Sequence, residues 1–221
     1  MKVRNIVICL AVILFSVPLI HGQDLSKYRQ FSLGASLAAV SKQIDQNPGN
    51  AALIEQSPAT IQQLEWWPVS VNVFTRPEAV QRVTLSFYNG KLYKIATTYD
   101  NDATAGLTGG DMIAAISANY GSVNKVDAEI DTHAELAYGT VEPIAQWEDT
   151  QYSVTLSWES VLKVFRLVVL TKQVNAEAEA SVIEAAKQEQ AYAPQKEVAR
   201  GKEAADKLET ERQANLKTFR P

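Results

Sequence analysis

Residues 83–95 read Val-Thr-Leu-Ser-Phe-Tyr-Asn-Gly-Lys-Leu-Tyr-Lys-Ile, the strongest local signal in the chain. An Asn-Gly pair between two runs of β-branched and aromatic residues is typical of a two-residue β-hairpin, because both turn residues need a positive φ. Asn89-Gly90 therefore predicts antiparallel strands over residues 83–88 and 91–98. Alternating valines upstream predict a further strand over residues 69–74.

The segment before this hairpin predicts one amphipathic helix. Apolar residues recur at helical spacing over residues 36–45, where Ser36 is a suitable N-cap and Asn47-Pro48-Gly49 can end the helix. Residues 56–64 fit either a short second helix or a loop. A helix laid on one face of an antiparallel sheet belongs to the α+β class.

The same pattern occurs twice in the chain. Residues 34–44 align with residues 110–120 at an offset of 76, with Gly, Ala, Ala and Ser at matched positions. Val-Thr-Leu-Ser-Phe at residues 83–87 is matched by Val-Thr-Leu-Ser-Trp at an offset of 71. Two matches in the same order predict a tandem duplication. We place repeat unit 1 at residues 23–102 and repeat unit 2 at residues 103–171.

The second copy predicts the same elements as the first. Its helix is expected to begin at Asp111 as the N-cap and to end at Gly121. Strands are expected over residues 144–147, 152–158 and 161–170, with one more over residues 136–140. The predicted fold class is thus α+β: two tandem helix-plus-antiparallel-sheet units followed by a helical C-terminal tail.

The first 22 residues have the features of a leader. Lys2 and Arg4 precede an apolar run over residues 6–20, which is typical of a secretory signal peptide over residues 1–22. A membrane span needs about 20 apolar residues, so an uncleaved anchor is the second alternative. We expect a periplasmic or secreted protein with no stable membrane span after cleavage.

Removal of that leader also removes reactive residues. Cys9 and His21 lie within it, so the exported chain keeps no cysteine and a single histidine, His133. These counts exclude disulfide frameworks, thiol catalysis and zinc sites built from Cys and His. We therefore expect no cofactor and no metal.

Residues 172–221 differ in composition from the body that precedes them. They are rich in Ala, Glu, Gln and Lys, which favour helix. Their apolar positions are too sparse for a firm coiled-coil seam, and Pro194 and Gly201 interrupt the pattern. We expect a solvated helix to about Tyr192, a break, and then a second helix or a disordered end. This tail would serve as a spacer or an assembly segment.

The net charge of the chain indicates which classes of partner to expect. The formal net charge of the whole chain is −4. Residues 23–171 carry 16 acidic and 10 basic residues, a net charge of −6, whereas the tail carries nine of each. A dedicated nucleic-acid binder needs a basic patch, so that class is not expected. A partner attracted electrostatically would present a basic surface to the body.

No residue constellation predicts catalysis, and no catalytic residue is assigned. His133 lies among carboxylates, which favour its protonated form and make it a poor base. Asp100-Asn101-Asp102 lacks the glycine and distal glutamate of a calcium loop, and residues 106–110 lack the Lys-Ser/Thr of a P-loop. The alternative is a hydrolase of a glycan or small molecule with carboxylates in the cleft between the repeats. Its candidate acids are Asp100, Asp102, Asp127, Glu129 and Asp131.

Two sequence features together resemble a known repeat. Phe-Ser-Leu-Gly-Ala-Ser at residues 31–36 precedes the first helix, and Phe-Tyr-Asn-Gly-Lys-Leu at residues 87–92 is a strand-turn-strand. The pattern resembles the repeat unit of the beta-lactamase-inhibitor-protein-like fold and is similar to outer-membrane assembly lipoproteins of the SmpA/OmlA type. The resemblance covers about residues 28–171 and implies a two-unit architecture and a tendency toward protein binding. Ala35 stands where those families usually carry Met, and their disulfides and acylated cysteine have no counterpart here.

Aromatic residues are the best candidates for a binding surface. Alternation along the strands sends about half of them into the helix–sheet core and leaves the rest for an open sheet face, where Trp and Tyr serve as anchors. In the adjacent Trp66-Trp67 pair, one ring must face outward. The candidate binding residues are Trp66, Trp67, Tyr88, Tyr93, Trp147 and Trp158.

These observations favour an exported, non-enzymatic protein that binds another exported or envelope protein through an aromatic-bearing sheet face. A structural oligomer assembled through the tail is the alternative from another class.

Overall fold

The computed structural model describes residues 24–68, 79–126, 141–218 and 220. The predicted signal peptide, the expected strands over residues 69–74 and 136–140, and His133 lie outside the described residues. Three α-helices and ten strands occupy the described part of the chain.

Eight of the strands form one antiparallel sheet, and two form a small hairpin near the N-terminus. The hairpin consists of β1 (Lys27–Tyr28) and β2 (Phe31–Ser32). The strands of the sheet are β3 (Ala52–Glu55), β4 (Ile61–Trp66), β5 (Val80–Tyr88), β6 (Lys91–Tyr99), β7 (Lys125–Val126), β8 (Val141–Glu148), β9 (Tyr152–Glu159) and β10 (Val164–Thr171).

The strand order reads the same way inward from both edges. It is β3-β4-β5-β6-β10-β9-β8-β7, so β3–β6 form a first half-sheet and β7–β10 a second half-sheet. The halves meet where β6 pairs with β10, with Ala96 opposite Val168. Helices combined with this antiparallel sheet confirm the α+β class.

A short helix precedes each half-sheet, and a long helix follows the second. They are α1 (Leu37–Gln43), α2 (Gly109–Tyr120) and α3 (Lys172–Thr218), with a 3₁₀ turn at Pro48–Asn50. The Ser36 side chain accepts a hydrogen bond from the Ala39 N–H, which confirms it as the N-cap of α1. Gly121 ends α2 with a φ of 76°, also as predicted.

The Asn89-Gly90 turn is confirmed as the link between β5 and β6. Its two residues have φ values of 48° and 74°, the left-handed region that a two-residue hairpin requires. Asn89 also fixes the neighbouring strand, since its N–H donates to the Thr60 carbonyl at 2.8 Å and its side-chain oxygen accepts from the Thr60 N–H at 3.0 Å. The turn therefore sets the register of three strands.

One hydrophobic core joins α1, α2 and both half-sheets. Its largest fully buried side chains include Trp147, Phe31, Phe87 and Phe165. Removing a side chain of this size from water contributes about 2–3 kcal/mol. Since the two halves share this core, we expect them to unfold together.

The expectation of a short helix or loop over residues 56–64 was wrong for its last part, where β4 begins at Ile61. Leu64 is buried in the main core, whereas Ile61 belongs to a second cluster that includes Ala178 of α3. The strand is thus covered on both faces, and its buried residues lose the alternation of a half-buried strand. The three-residue spacing of Ile61 and Leu64 instead imitates a helix.

The start of α2 also differs from the prediction. Thr108, not Asp111, is the N-cap, and Asp111 completes a capping box. The Thr108 hydroxyl accepts from the Asp111 N–H at 3.2 Å, and the Asp111 carboxylate accepts from the Thr108 N–H at 2.8 Å. The helix end is therefore satisfied by its own side chains.

The predicted break near Tyr192 is not found, since α3 continues through Pro194 and Gly201. A proline removes one backbone donor from a helix, and residues with high helix propensity flank this one on both sides. Within residues 24–68, 79–126 and 141–218, no helix has the combined length and apolar character needed to cross a membrane.

Candidate functional site

Two of the six candidate binding residues lie in the core. Trp147 is fully buried, and its indole N–H donates to the Gly121 carbonyl at 3.0 Å. Trp158 is only 8% exposed and meets Phe165 edge-on at a centroid distance of 4.8 Å. These two rings therefore stabilise the fold and do not form part of an open surface.

The adjacent pair Trp66-Trp67 is divided between core and solvent. Trp66 packs edge-on against Phe31, with ring centroids 5.3 Å apart. Trp67, immediately after the end of β4, is 53% exposed. One ring of the pair thus supports the core and the other is available to a partner.

Tyr88 and Tyr93 lie on the other face of the sheet, beneath the first turns of α3. Tyr93 belongs to a buried cluster with Ile61 and Ala178. The Tyr88 hydroxyl lies 3.4 Å from the Ser181 hydroxyl, and the two tyrosine rings meet edge-on at 6.4 Å. Burial, with a smaller contribution from Glu179, raises the pKa of Tyr93. Tyr88 and Tyr93 thus share a sheet face that the chain's own C-terminal helix covers.

Helix α3 has two parts with different surroundings. Its first turns place Val174, Ala178 and Ser181 against the sheet at helical spacing. Residues 186–218 are exposed at every position. At about 1.5 Å per residue, this second part is about 50 Å long. We call residues 186–218 the arm.

A cavity of about 720 Å³ lies on the face of the sheet opposite α3. It is bounded by α2, the β1–β2 hairpin and the loop that follows β6. Met112 and Ile116 of α2 line it together with Leu167 of β10. Leu107, in the loop before α2, is 39% exposed at this site. The cavity thus has an apolar lining contributed by both half-sheets.

Three tyrosines add hydroxyl groups to the cavity, namely Tyr28, Tyr99 and Tyr120. The Tyr120 hydroxyl donates to the Lys27 carbonyl at 2.7 Å and so ties the end of α2 to the hairpin. Burial, reinforced by the neighbouring Tyr28, raises the pKa of both Tyr99 and Tyr120 far above the ordinary value. The phenols of Tyr99 and Tyr120 are therefore neutral hydrogen-bonding groups at physiological pH.

Charged residues lie along the hairpin side of the cavity. The Lys27 ammonium contacts the Asp24 carboxylate at 2.7 Å, and hydrogen bonds from Lys27 and Ser26 lower the pKa of Asp24 to about 2. Arg29 lies over the Tyr28 ring at 5.9 Å from the centroid. The Asp24 carboxylate thus compensates the Lys27 charge on this side of the cavity.

The candidate acids of the hydrolase alternative do not converge where they are described. The Asp100 carboxylate accepts from the Ala103 N–H at 3.0 Å and shapes a turn, and Asp102 is exposed. Asp127, Glu129 and Asp131 lie outside the described residues. Over the described ranges, no three His, Cys, Asp or Glu side chains are arranged to hold a metal ion.

Sequence reasoning did not find the cavity. Its lining comes from the hairpin, the end of β6, the linking loop, α2 and β10, which are far apart in the chain. No spacing rule brings these segments together before the sheet order is known. The nearest sequence signal was the glycine-rich stretch at residues 106–110, whose positive φ at Gly106 explains a turn and not a phosphate site.

This sequence matches no protein-family model, and neither the curated proteins nor the solved structures give a significant match.

Proposed function

We propose that this chain is an exported, non-enzymatic protein that binds another exported or envelope protein, with the arm as its main contact surface. The observation that carries the proposal is the contrast within α3. Its first turns are held on the sheet by Ala178 and Ser181, whereas residues 186–218 have no buried position. The body thereby fixes the base of a long helix whose whole surface is accessible.

The composition of the arm supports a role in binding. Helices without a buried apolar face gain little from their own fold and depend on pairs between neighbouring turns. Arg212 donates to Glu209 at 2.7 and 2.8 Å, and Gln213 donates to the same carboxylate. The apolar residues left exposed along the arm are Tyr192, Val198, Leu208 and Leu216. A partner helix or groove would bury them.

We further propose that the body is a tandem duplication. Leu-Tyr-Lys-Ile-Ala-Thr at residues 92–97 on β6 corresponds to Val-Phe-Arg-Leu-Val-Val at residues 164–169 on β10. Burial follows this correspondence, because residues 92, 95 and 97 are buried and so are residues 164, 167 and 169. The order of helix and strands is the same in both halves. This arrangement agrees with the resemblance to the inhibitor-protein-like repeat.

The charge of the body indicates the kind of partner. Residues 23–171 carry a net charge of −6, whereas the tail is balanced. A partner that lies along the arm and reaches the body would gain from a basic surface. Its association rate would then fall with rising salt concentration, while the contact with the arm would persist.

Deletion of the arm tests this proposal. Residues 24–221 and residues 24–185 would each be immobilised and exposed to an exported-protein fraction, after circular dichroism has shown that both are folded. We expect the longer chain to retain a partner that the shorter chain does not. The captured partner would then be purified and titrated against both chains.

A matched control separates the arm from the exposed ring of the body. Trp67→Ala leaves the arm intact, so its chain should retain the partner nearly as well as the unaltered one. Equal capture by residues 24–185 would move the contact to the body and contradict the proposal. Binding of the chain to a second copy of itself would favour a structural oligomer instead. Light scattering would then show the mass of a dimer for the longer chain and of a monomer for residues 24–185.

A further inference from the structure

The cavity beside α2 has the size of a small-molecule site. Its volume of about 720 Å³ falls within the range of about 300–1,000 Å³ in which such ligands bind. Met112, Ile116 and Leu167 line it with side chains that are each no more than 5% exposed. Leu107 and Ala115 add apolar surface that is open to solvent. A ligand would therefore bury an apolar portion here.

The walls of this cavity are held in place by the protein itself. The Tyr120 hydroxyl donates to the Lys27 carbonyl at 2.7 Å, which joins the end of α2 to the hairpin. The capping box between Thr108 and Asp111 fixes the start of the same helix. A preformed site avoids the cost of ordering its walls when a ligand binds.

The charged side chains of the lining already have partners within the protein. The Lys27 ammonium contacts the Asp24 carboxylate at 2.7 Å, and Arg29 lies over the Tyr28 ring. A ligand carboxylate would have to compete with these contacts, and a ligand ammonium would be repelled by Lys27 and Arg29. Moving an ion out of water without a compensating partner is strongly unfavourable. The cavity therefore favours an uncharged ligand.

The rest of the polar lining is aromatic and neutral. Tyr28, Tyr99 and Tyr120 line the cavity, and Tyr99 is the most exposed of the three. Burial, together with the neighbouring Tyr28, holds the pKa of Tyr99 above its ordinary range, so its hydroxyl stays protonated. A neutral phenol oxygen accepts a hydrogen bond even while its proton is donated elsewhere. Aromatic rings, together with the thioether of Met112, favour contact with another flat ring.

We infer that this cavity binds an uncharged aromatic alcohol, a flat ring system that carries one hydroxyl group. The ring would lie against Met112, Ile116 and Leu167, and its hydroxyl would donate to the Tyr99 oxygen. This site is separate from the arm and does not depend on the proposed protein partner.

Calorimetric titration of the full chain with 2-naphthol tests the inference. The charged comparison ligands are 2-naphthoate and 2-naphthylmethylammonium, which carry the same ring system. We expect saturable binding of 2-naphthol, with a stoichiometry of one and a dissociation constant below about 1 mM. Both charged ligands should bind at least about tenfold more weakly, because each would lose water next to side chains that are already paired.

Tyr99→Phe tests the hydroxyl contact, since it keeps the ring and removes the acceptor oxygen. It should weaken 2-naphthol binding by about two- to tenfold, the range of one hydrogen bond between neutral groups. Unaltered binding by this variant, once circular dichroism has shown that it is folded, would contradict the assigned contact.

Two substitutions on α2 test the location. Ala115 lines the cavity, and its neighbour Ala114 is exposed but does not. Ala115→Trp should fill the entrance and weaken 2-naphthol binding by about tenfold or more, whereas Ala114→Trp should leave it unchanged. Both side chains are exposed, so both variants should fold, which circular dichroism would verify.

Three further results would overturn the inference. They are absence of saturable 2-naphthol binding below about 1 mM, equal or tighter binding of either charged ligand, and equal weakening by Ala115→Trp and Ala114→Trp. The first would exclude the site, the second the uncharged class, and the third the location.

Discussion

The two half-sheets share a core but differ on the face that points away from α1 and α2. In the first, Tyr88 and Tyr93 form a small buried cluster that receives α3. In the second, Glu159 of β9 forms an ion pair with Arg166 of β10 at 2.8 Å. Aromatic rings on one half-sheet and charges on the other therefore decide where the C-terminal helix packs, and with it where the arm begins.

The largest effect should come from the core that both halves share. Trp147→Ala removes a fully buried ring and a hydrogen bond to Gly121, and it should lower the free energy of unfolding by about 3–5 kcal/mol. Urea unfolding followed by circular dichroism would measure this loss. Trp67→Ala, at an exposed ring, should change it by less than about 0.5 kcal/mol. Similar losses in both variants would contradict the assignment of the two rings to core and surface.

A smaller effect should follow from disrupting the contact of α3 with the first half-sheet. Ala178→Arg places a charged side chain over Tyr93, and it should weaken the packing of α3 by about 1–3 kcal/mol. Hydrogen exchange should then show reduced protection over residues 174–185 while β5 and β6 stay protected. Ala180→Arg is the control, because Ala180 is exposed on the same helix. Loss of protection in the control variant alone would contradict the assigned helix face.

Ionisation of Tyr93 at high pH should release α3 from the first half-sheet. Burial raises the pKa of Tyr93 above its ordinary value of 10.0, so the folded state favours the neutral phenol. Its contribution to α3 packing is therefore fully present below pH 10 and is lost as the pH rises through the higher pKa of the folded state. A fluorescent label on Ile183→Cys should report release of α3 in this range. With Tyr93→Phe the release should move to higher pH, and an unchanged profile would show that Tyr93 is not responsible.

The smallest effect is expected on the charged side of the comparison. Arg166→Gln removes the ion pair with Glu159 on a partly exposed surface, and it should cost no more than about 1 kcal/mol. The cost should shrink as salt is added, because surface charge pairs are screened. A loss above about 2 kcal/mol in urea unfolding would mean that this pair has a structural role comparable to that of Tyr93.

The sequence predicts those parts of the fold that depend on neighbouring residues, and it fails where burial depends on a segment that is distant in the chain. The Asn89-Gly90 turn, the Ser36 cap and the end of α2 at Gly121 depend on neighbouring residues, and all three are confirmed. The burial of Ile61 and Tyr93 depends on contact with α3, which lies about 80–120 residues later in the chain. The alternation of apolar and polar residues alone therefore does not predict that this face of the sheet is covered.

The candidate site was harder to predict for the same reason. Alternation along β8 and β9 shows which residues share a face with Trp147 and Trp158. It does not show whether that face packs against the helices. The similar burial of residues 92–97 and 164–169 was obscured because the turn after β9 has four residues and the turn after β5 has two, while a bulge in β6 reduces the net shift to one residue. The cavity needed the sheet order, because Leu167 reaches α2 only through the pairing of β6 with β10.

The central claim is that α3 is one continuous helix with its base on the sheet and its arm extended. Because Cys9 lies in the predicted leader, spin labels on Ile183→Cys and Gln213→Cys would report a single distance in a chain that starts at residue 24. Thirty residues of continuous helix predict a narrow distribution centred near 45 Å between the backbone positions. A broad distribution centred well below that value would show a break near Pro194 and contradict the account of the arm.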